Sequence, residues 1–257
     1  SCERTDARER DSRTRDRGWR ARPVQLRKIV TSTVLLSVAR MMSPLLDDIV
    51  FVGGQVAPLY FTVAPVQVPR PTKDVDIVVS VASRSELRKL DKRLESLGLR
   101  NDTRPEAPLC RWLTPDEIAV DVMPTEAAIL GFSNRWYPLI VEHTQKQSLT
   151  EDLSILIPTA PLYLAAKWEA FLGRGENDLA STDLEDVIMV IAGRPEIVAE
   201  MAEAPSKVQS WLAGQFRHFL AGDQAEYALQ GALGHTPTAA ELLKQVADRF
   251  HQLTKSR

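Results

Sequence analysis

Cysteine, histidine and long apolar runs are scarce in this chain, and each shortage removes a class of function. The two cysteines, Cys2 and Cys110, have no metal-ligand spacing. A zinc site or disulfide framework is therefore not expected, and a reduced, cytoplasmic protein suits the composition better. The four histidines, His143, His218, His235 and His251, are scattered without ligand spacing. There is no Gly-x-Ser-x-Gly motif and no evident Cys–His arrangement, so nucleophilic hydrolysis has no support. No stretch approaches the roughly 20 apolar residues that span a bilayer. The longest candidate, Ile29 to Met42, is interrupted by Thr31, Ser32, Thr33, Ser37 and Arg40, so a membrane is not an expected partner. With a net charge of -2 there is no global basic field, which leaves only local patches for nucleic acid.

The 257 residues, 44% hydrophobic and 26% charged, suit one large domain or two small ones around a real core. Residues 1–22 stand apart, with eight arginines, five acids and almost nothing apolar. Such a segment buries too little surface to offset its ordering entropy. It reads as a disordered tail or, alternatively, as an RNA-contacting arm.

From residue 23 to 158 the pattern is α/β. Apolar spacing predicts a helix over 24–46, a short buried strand from Asp48 to Val52, and a helical start over Gln55 to Phe61. Three prolines make 64–72 an extended loop. Val75 to Val81 is rich in β-branched residues and reads as a strand. Ser83 to Leu97 reads as an amphipathic helix closed by Gly98. Arg111–Leu113 and Ile118–Met123 read as strands around a turn at 114–117, and Ser154 to Ile157 as another short strand. From 159 to 257 helical periodicity dominates, over 161–172, 183–192, 195–202, 207–220 and 238–253. The expected fold is thus α/β (α+β): a mixed sheet with flanking helices, then a helical C-terminal half.

The chemistry concentrates on three aspartates. Asp74 and Asp76 are two residues apart in a strand, so their side chains share one face. Parallel carboxylates repel unless a cation sits between them, and an oxygen-only ligand pair of this kind suits Mg²⁺ together with substrate phosphates. Asp121 stands in the apolar run Ile118-Ala119-Val120-Asp121-Val122, where an unpaired charge is costly. Together the three would make a platform for two Mg²⁺ ions, with Mn²⁺ an alternative and Asp121 the extra ligand or the base. Upstream, Gly53-Gly54 lets the backbone approach a phosphate closely.

Gly-Gly, a spacer, Asp-x-Asp in a strand and a lone Asp in a later strand resemble the polymerase-β-type nucleotidyltransferases. More narrowly, Val52-Gly53-Gly54-Gln55, Arg70-Pro71-Thr72-Lys73-Asp74-Val75-Asp76 and Val120-Asp121-Val122-Met123-Pro124 resemble the AbiEii/AbiGii-type toxin nucleotidyltransferases over roughly residues 48–192. Gly131-Phe132-Ser133-Asn134-Arg135-Trp136-Tyr137 resembles a segment that follows the third aspartate in such proteins. Where those toxins often carry Thr or Ser after Gly-Gly, this chain has Gln55. The resemblance implies transfer of NMP from an NTP to an acceptor hydroxyl, with RNA, tRNA first, as acceptor and an antitoxin protein as partner. It also implies that Lys167 contacts the triphosphate and that Asp183 and Asp186 orient Lys167 or an arginine such as Arg174. Gly53, Gly54, Gln55 and Lys73 would complete the nucleotide site. Lys73 and Arg70 read equally as phosphate contacts or as exposed charges. Ser133 to Tyr137 reads as a base-stacking segment or as an aromatic anchor on the helical half. A nucleotidyltransferase acting on a small molecule such as an antibiotic, or on protein, and a non-catalytic binding protein of the same fold are the alternatives.

Overall fold

A computed structural model describes residues 31–63, 72–174, 178–234 and 239–255. The arginine-rich tail at 1–22, the beginning of the helix expected over 24–46, and Arg70 lie outside the described residues.

Chain order explains how the sheet is assembled. Helix α1 (Thr33–Met41) is capped by Ser32, whose hydroxyl accepts from the Leu35 N–H at 3.0 Å. Strand β1 (Ile49–Val52) is buried at every position and leads through Gly53 into a 3₁₀ helix at Gly54–Tyr60. Strand β2 (Asp74–Val79) is buried beyond its two acids. Helix α2 (Arg84–Ser96) starts at the Ser83 cap and carries the chain across to β3 (Arg100–Asn101), β4 (Arg111–Leu113) and β5 (Ala119–Pro124). The resulting five-stranded sheet has the order β1-β2-β5-β4-β3. Only β2 and β5 run parallel; the other neighbours are antiparallel. Short helices α3 (Ala127–Leu130) and α4 (Tyr137–Glu142) follow, then a two-stranded sheet of β6 (Thr144–Ser148) and β7 (Ser154–Pro158).

Among the described residues six helices follow: α5 (Ala160–Arg174), α6 (Thr182–Gly193), α7 (Ile197–Glu203), α8 (Ser206–Ala221), α9 (Ala225–Leu233) and α10 (Ala239–Leu253). Edge-to-face contacts of Trp168 with Phe171, Phe216 and Phe219, and of Phe216 with Phe250, hold them together. The two halves are joined by polar contacts as well as apolar packing. Tyr60 donates to the Pro158 carbonyl at 2.8 Å. Arg194 donates to the Tyr60 carbonyl at 2.9 Å while gripping Glu200. The architecture is mixed α/β with a helical C-terminal half, as the periodicity implied. β3, β6, α3, α4 and α9 are additions to it, all short or weakly patterned.

One turn sets the geometry of the functional face. A four-residue turn at 114–117 would pair Leu113 with Ile118 and Arg111 with Val120. Instead Thr114 pairs with Ile118 through its N–H at 3.0 Å, and Glu117 adopts φ 62°. This is a three-residue hairpin loop closed by a left-handed residue. The register moves by one, so Arg111 lies opposite Asp121. A one-residue slip would have turned Arg111 to the other face. A left-handed non-glycine residue costs about 1–2 kcal/mol, and the exposed Glu117–Arg100 ion pair returns little of it. Glu117→Gly is therefore expected to leave stability unchanged or raise it by up to about 1 kcal/mol, and Glu117→Val to lower it by about 1–2 kcal/mol. Urea denaturation midpoints of the two variants check this.

Candidate active site

Val52, Asp76, Asp121 and Arg111 occupy one register row across four strands. Asp74 lies two residues along β2 from Asp76 and so shares its face. All five line a cleft of about 480 Å³. Gly53, Gly54, Thr72 and Lys73 form its rim on the sheet side, and Tyr163, Lys167, Asp183 and Asp186 face them from α5 and α6.

Gly53 has a specific role at this place. Its φ is 75°, and a Cβ there would lie 1.9 Å from Asp76 Oδ2. No side chain fits between this turn and the carboxylate. Gly54 is similarly crowded, with a Cβ falling 2.7 Å from Thr72 Cγ2 and 3.6 Å from Asp186 Oδ2. The turn is held from the helical half by Tyr163, whose hydroxyl donates to the Gly53 carbonyl at 3.1 Å. Burial pushes the Tyr163 phenol well above its ordinary pKa, and the nearby Asp186 adds to this. It therefore stays a neutral donor.

Gln55 does not line the cleft. Its amide accepts from the Ser32 hydroxyl at 2.5 Å and donates to the Thr72 carbonyl at 2.8 Å. The side chain expected at the nucleotide instead ties the start of α1 to the segment entering β2. In contrast, Gly53, Gly54 and Lys73 do line the cleft.

The sheet-side acids do not stand as a bare platform. Arg111 donates through Nε and Nη2 to the two oxygens of Asp121, both at 2.8 Å, and Nη2 lies 3.5 Å from Asp74 Oδ2. This fork-on-fork pairing is among the strongest that neutral-pH side chains make. Hydrogen bonding to Asp121 raises the guanidinium's affinity for its proton, outweighing its partial burial. Among the described residues, no group of three or more His, Cys, Asp or Glu side chains is ready to hold a metal ion. Arg111 occupies both oxygens of the third aspartate. The donor set itself is all oxygen and suits a hard cation. Beside it, burial and then the charge of Asp121 push the Cys110 thiol up to about 11, which makes it an inert neighbour.

On the helical side Lys167 is almost fully buried, with Nζ 2.9 Å from Asp183 Oδ1 and 2.6 Å from Asp186 Oδ2. Burial alone would lower the lysine pKa; attraction to Asp186 and Asp183 outweighs it, and the net shift is upward. Both acids thus meet the lysine. Asp183 lies in the first turn of α6, near the positive end of the helix, and Asp186 three residues further along the same face.

The 131–137 segment divides. Trp136 is 1% exposed and packs on Trp211, with ring centroids 5.0 Å apart. Arg135 lies over Trp211 and pairs with Glu169. Asn134 donates to the Ala166 carbonyl at 2.9 Å. These three anchor the segment to the helical half, while Asn134 and Tyr137 also line the cleft. Base stacking by Trp136 is excluded by its burial. The residue that sequence reasoning missed is Arg111. Its signal was an arginine inside a buried strand, hidden by the one-residue register shift at Glu117.

No protein-family model matches the sequence, and no curated protein matches it. Among solved structures, the chain is similar to an antigenic nucleotidyltransferase-like protein from Paracoccidioides brasiliensis. That match has a TM-score of 0.45 and 18% identity, covering 84% of this chain and 94% of that one. It is also similar to JHP933 from Helicobacter pylori, with a TM-score of 0.44 and 11% identity, covering 87% of this chain and 93% of that one.

Removing the lysine should leave two buried carboxylates facing each other. Lys167→Met is expected to cost about 3–5 kcal/mol of stability. In the native protein the lysine pKa is raised above 10.5, so its contribution is complete below pH 10.5 and is lost as pH rises through the folded value. Denaturant melts between pH 8 and 12 check both. This alkaline component should be missing in Lys167→Met.

Proposed function

We propose that this chain is a metal-dependent nucleotidyltransferase that moves NMP from an NTP to an acceptor hydroxyl and releases pyrophosphate. The observation that carries the reading is the convergence of Asp74, Asp76 and Asp121 on one sheet face, with the Gly53–Gly54 turn packed against Asp76 and the Lys167 clamp across the cleft. The glycine turn, the same-face acids and the buried lysine come from distant parts of the sequence. No need of the fold alone requires them to share one cleft.

Asp74 and Asp76, and Asp121 once freed from Arg111, would hold Mg²⁺ or Mn²⁺. When bound, such ions neutralise the phosphates and lower the pKa of an attacking hydroxyl. Backbone N–H groups at the start of the 3₁₀ helix after Gly53 would cradle the phosphates. Lys167, held rigid by Asp183 and Asp186, supplies fixed positive charge to the triphosphate, and Lys73 adds a second charge at the rim. The acceptor oxygen forms its bond to the α-phosphorus as the α–β bridging bond breaks, so pyrophosphate carries away the electron pair. Residues 23–158 act as the catalytic unit, and residues 159–257 as the helical unit that brings Lys167.

The proposed acceptor is RNA, with tRNA first, and the proposed role is that of a toxin held in check by an antitoxin. The likeness of the Gly-Gly, Asp-x-Asp and third-Asp motifs to AbiEii/AbiGii-type toxins supports this part. Incubation with each α-labelled NTP and total RNA tests it, with protein and an aminoglycoside as parallel acceptors. Label in RNA is expected. Label only in protein or aminoglycoside moves the acceptor to that class, and no label anywhere refutes the enzyme reading. Asp76→Asn should keep its fold and lose transfer by at least about 100-fold, measured by initial rates.

A further inference from the structure

Arg111 is the cleft group that nucleotide transfer does not need, yet it makes the best-formed polar contacts in the cleft. It takes both oxygens of Asp121 at 2.8 Å and reaches Asp74 at 3.5 Å. Those are the oxygens that a divalent ion at Asp121 must use. A guanidinium and a metal ion cannot share them, because each needs the same lone pairs at close range.

We propose that Arg111 is a latch on the carboxylate platform: it serves as the resident cation of Asp121 in the metal-free protein, and a divalent ion reaches Asp121 only by displacing it. This rests on the metal-dependent reading above.

Three observations favour a latch over a permanent structural pair. The Arg111 side chain keeps 23% of its surface exposed and lines the open cleft, so it can swing out without disturbing the sheet. Asp121 keeps 11% exposure and faces the same space. The exchange swaps one cation for another, so the low-dielectric site is never left with an unpaired carboxylate, the state that costs most. Arg111 holds Asp74 through a single oxygen at 3.5 Å, a weaker grip than its two 2.8 Å bonds to Asp121, so an ion at Asp74 displaces less than one at Asp121. Two ions would then bind with different affinities, and the weaker would include the work of opening the latch.

Mn²⁺ titration of the full chain by calorimetry, with thermal melts in parallel, tests the latch in wild type, Arg111→Met, Arg111→Lys and Asp121→Asn. Arg111→Met should tighten the weaker Mn²⁺ site by about tenfold, ~1.4 kcal/mol. It should also lower the metal-free melting temperature and gain more from added Mn²⁺ than wild type. Arg111→Lys keeps the charge but loses the fork and should lie between. Asp121→Asn should lose the weaker site. If Arg111→Met folds and binds Mn²⁺ no more tightly than wild type, the latch is wrong and Arg111 is a fixed partner of Asp121. If Arg111→Met does not fold, Arg111→Lys decides: unchanged or weaker Mn²⁺ binding there overturns the latch. If wild type and every folded variant bind no Mn²⁺, the metal-dependent reading falls with it; two-site binding that is indifferent to residue 111 removes the latch alone.

Discussion

Five aspartates line one cleft in this protein, and charge compensation decides whether they can share it. Asp74, Asp76 and Asp121 come from the sheet; Asp183 and Asp186 come from α6. Each group is balanced by a cation fixed on a rigid element, Arg111 on β4 and Lys167 on α5. The two solutions differ in kind. Lys167 is buried and embedded in the helical core, so its clamp is a structural commitment. Arg111 is partly open to the cleft, so its pairing is one that a stronger cation can replace. One site therefore combines a charge that stays with a charge that can move.

The cleft also depends on contacts that run between sequence-distant segments. Tyr163 holds the Gly53 carbonyl from α5, and Tyr60 reaches the end of β7. Gly53 can lie against Asp76 only because no side chain intervenes. The backbone entropy lost at Gly53 and Gly54 and the repulsion among the acids both oppose folding. The apolar core continuous through the sheet and the helices offsets them, within the narrow stability margin usual for a domain.

Much of the fold was legible because periodicity reports burial directly. β2, β5, α2 and α5 stand close to where alternation or 3.6-residue spacing placed them. α9 was missed because its stripe is made largely of alanine and leucine interrupted by Gly231, which carries little contrast. β6, Thr-Gln-Lys-Gln-Ser, is polar throughout and pairs only because β7 presents a partner. In the site, Gly53-Gly54, Asp74, Asp76, Asp121 and Lys167 were visible because each residue type is out of place in its local setting. Gln55 is placed by its bonding partners instead. Its position after Gly-Gly marked it for the nucleotide, but its amide found backbone and hydroxyl partners on neighbouring segments.

The sequence by itself determined which residues would be chemically unusual: an acid pair at strand spacing, an acid inside an apolar strand, a lysine on an apolar helix, and glycines where a turn must come close. These follow from side-chain chemistry and local period, which need no partner to be read. Tertiary structure alone decided who neutralises whom. A left-handed residue at Glu117 moved one hairpin by one position and brought Arg111 opposite Asp121. The packing of α5 and α6 on the sheet set Lys167 between Asp183 and Asp186, across from the glycine turn. Electrostatic pairing falls off over a few ångströms, so it is fixed by register and packing, which the local pattern of residues does not contain.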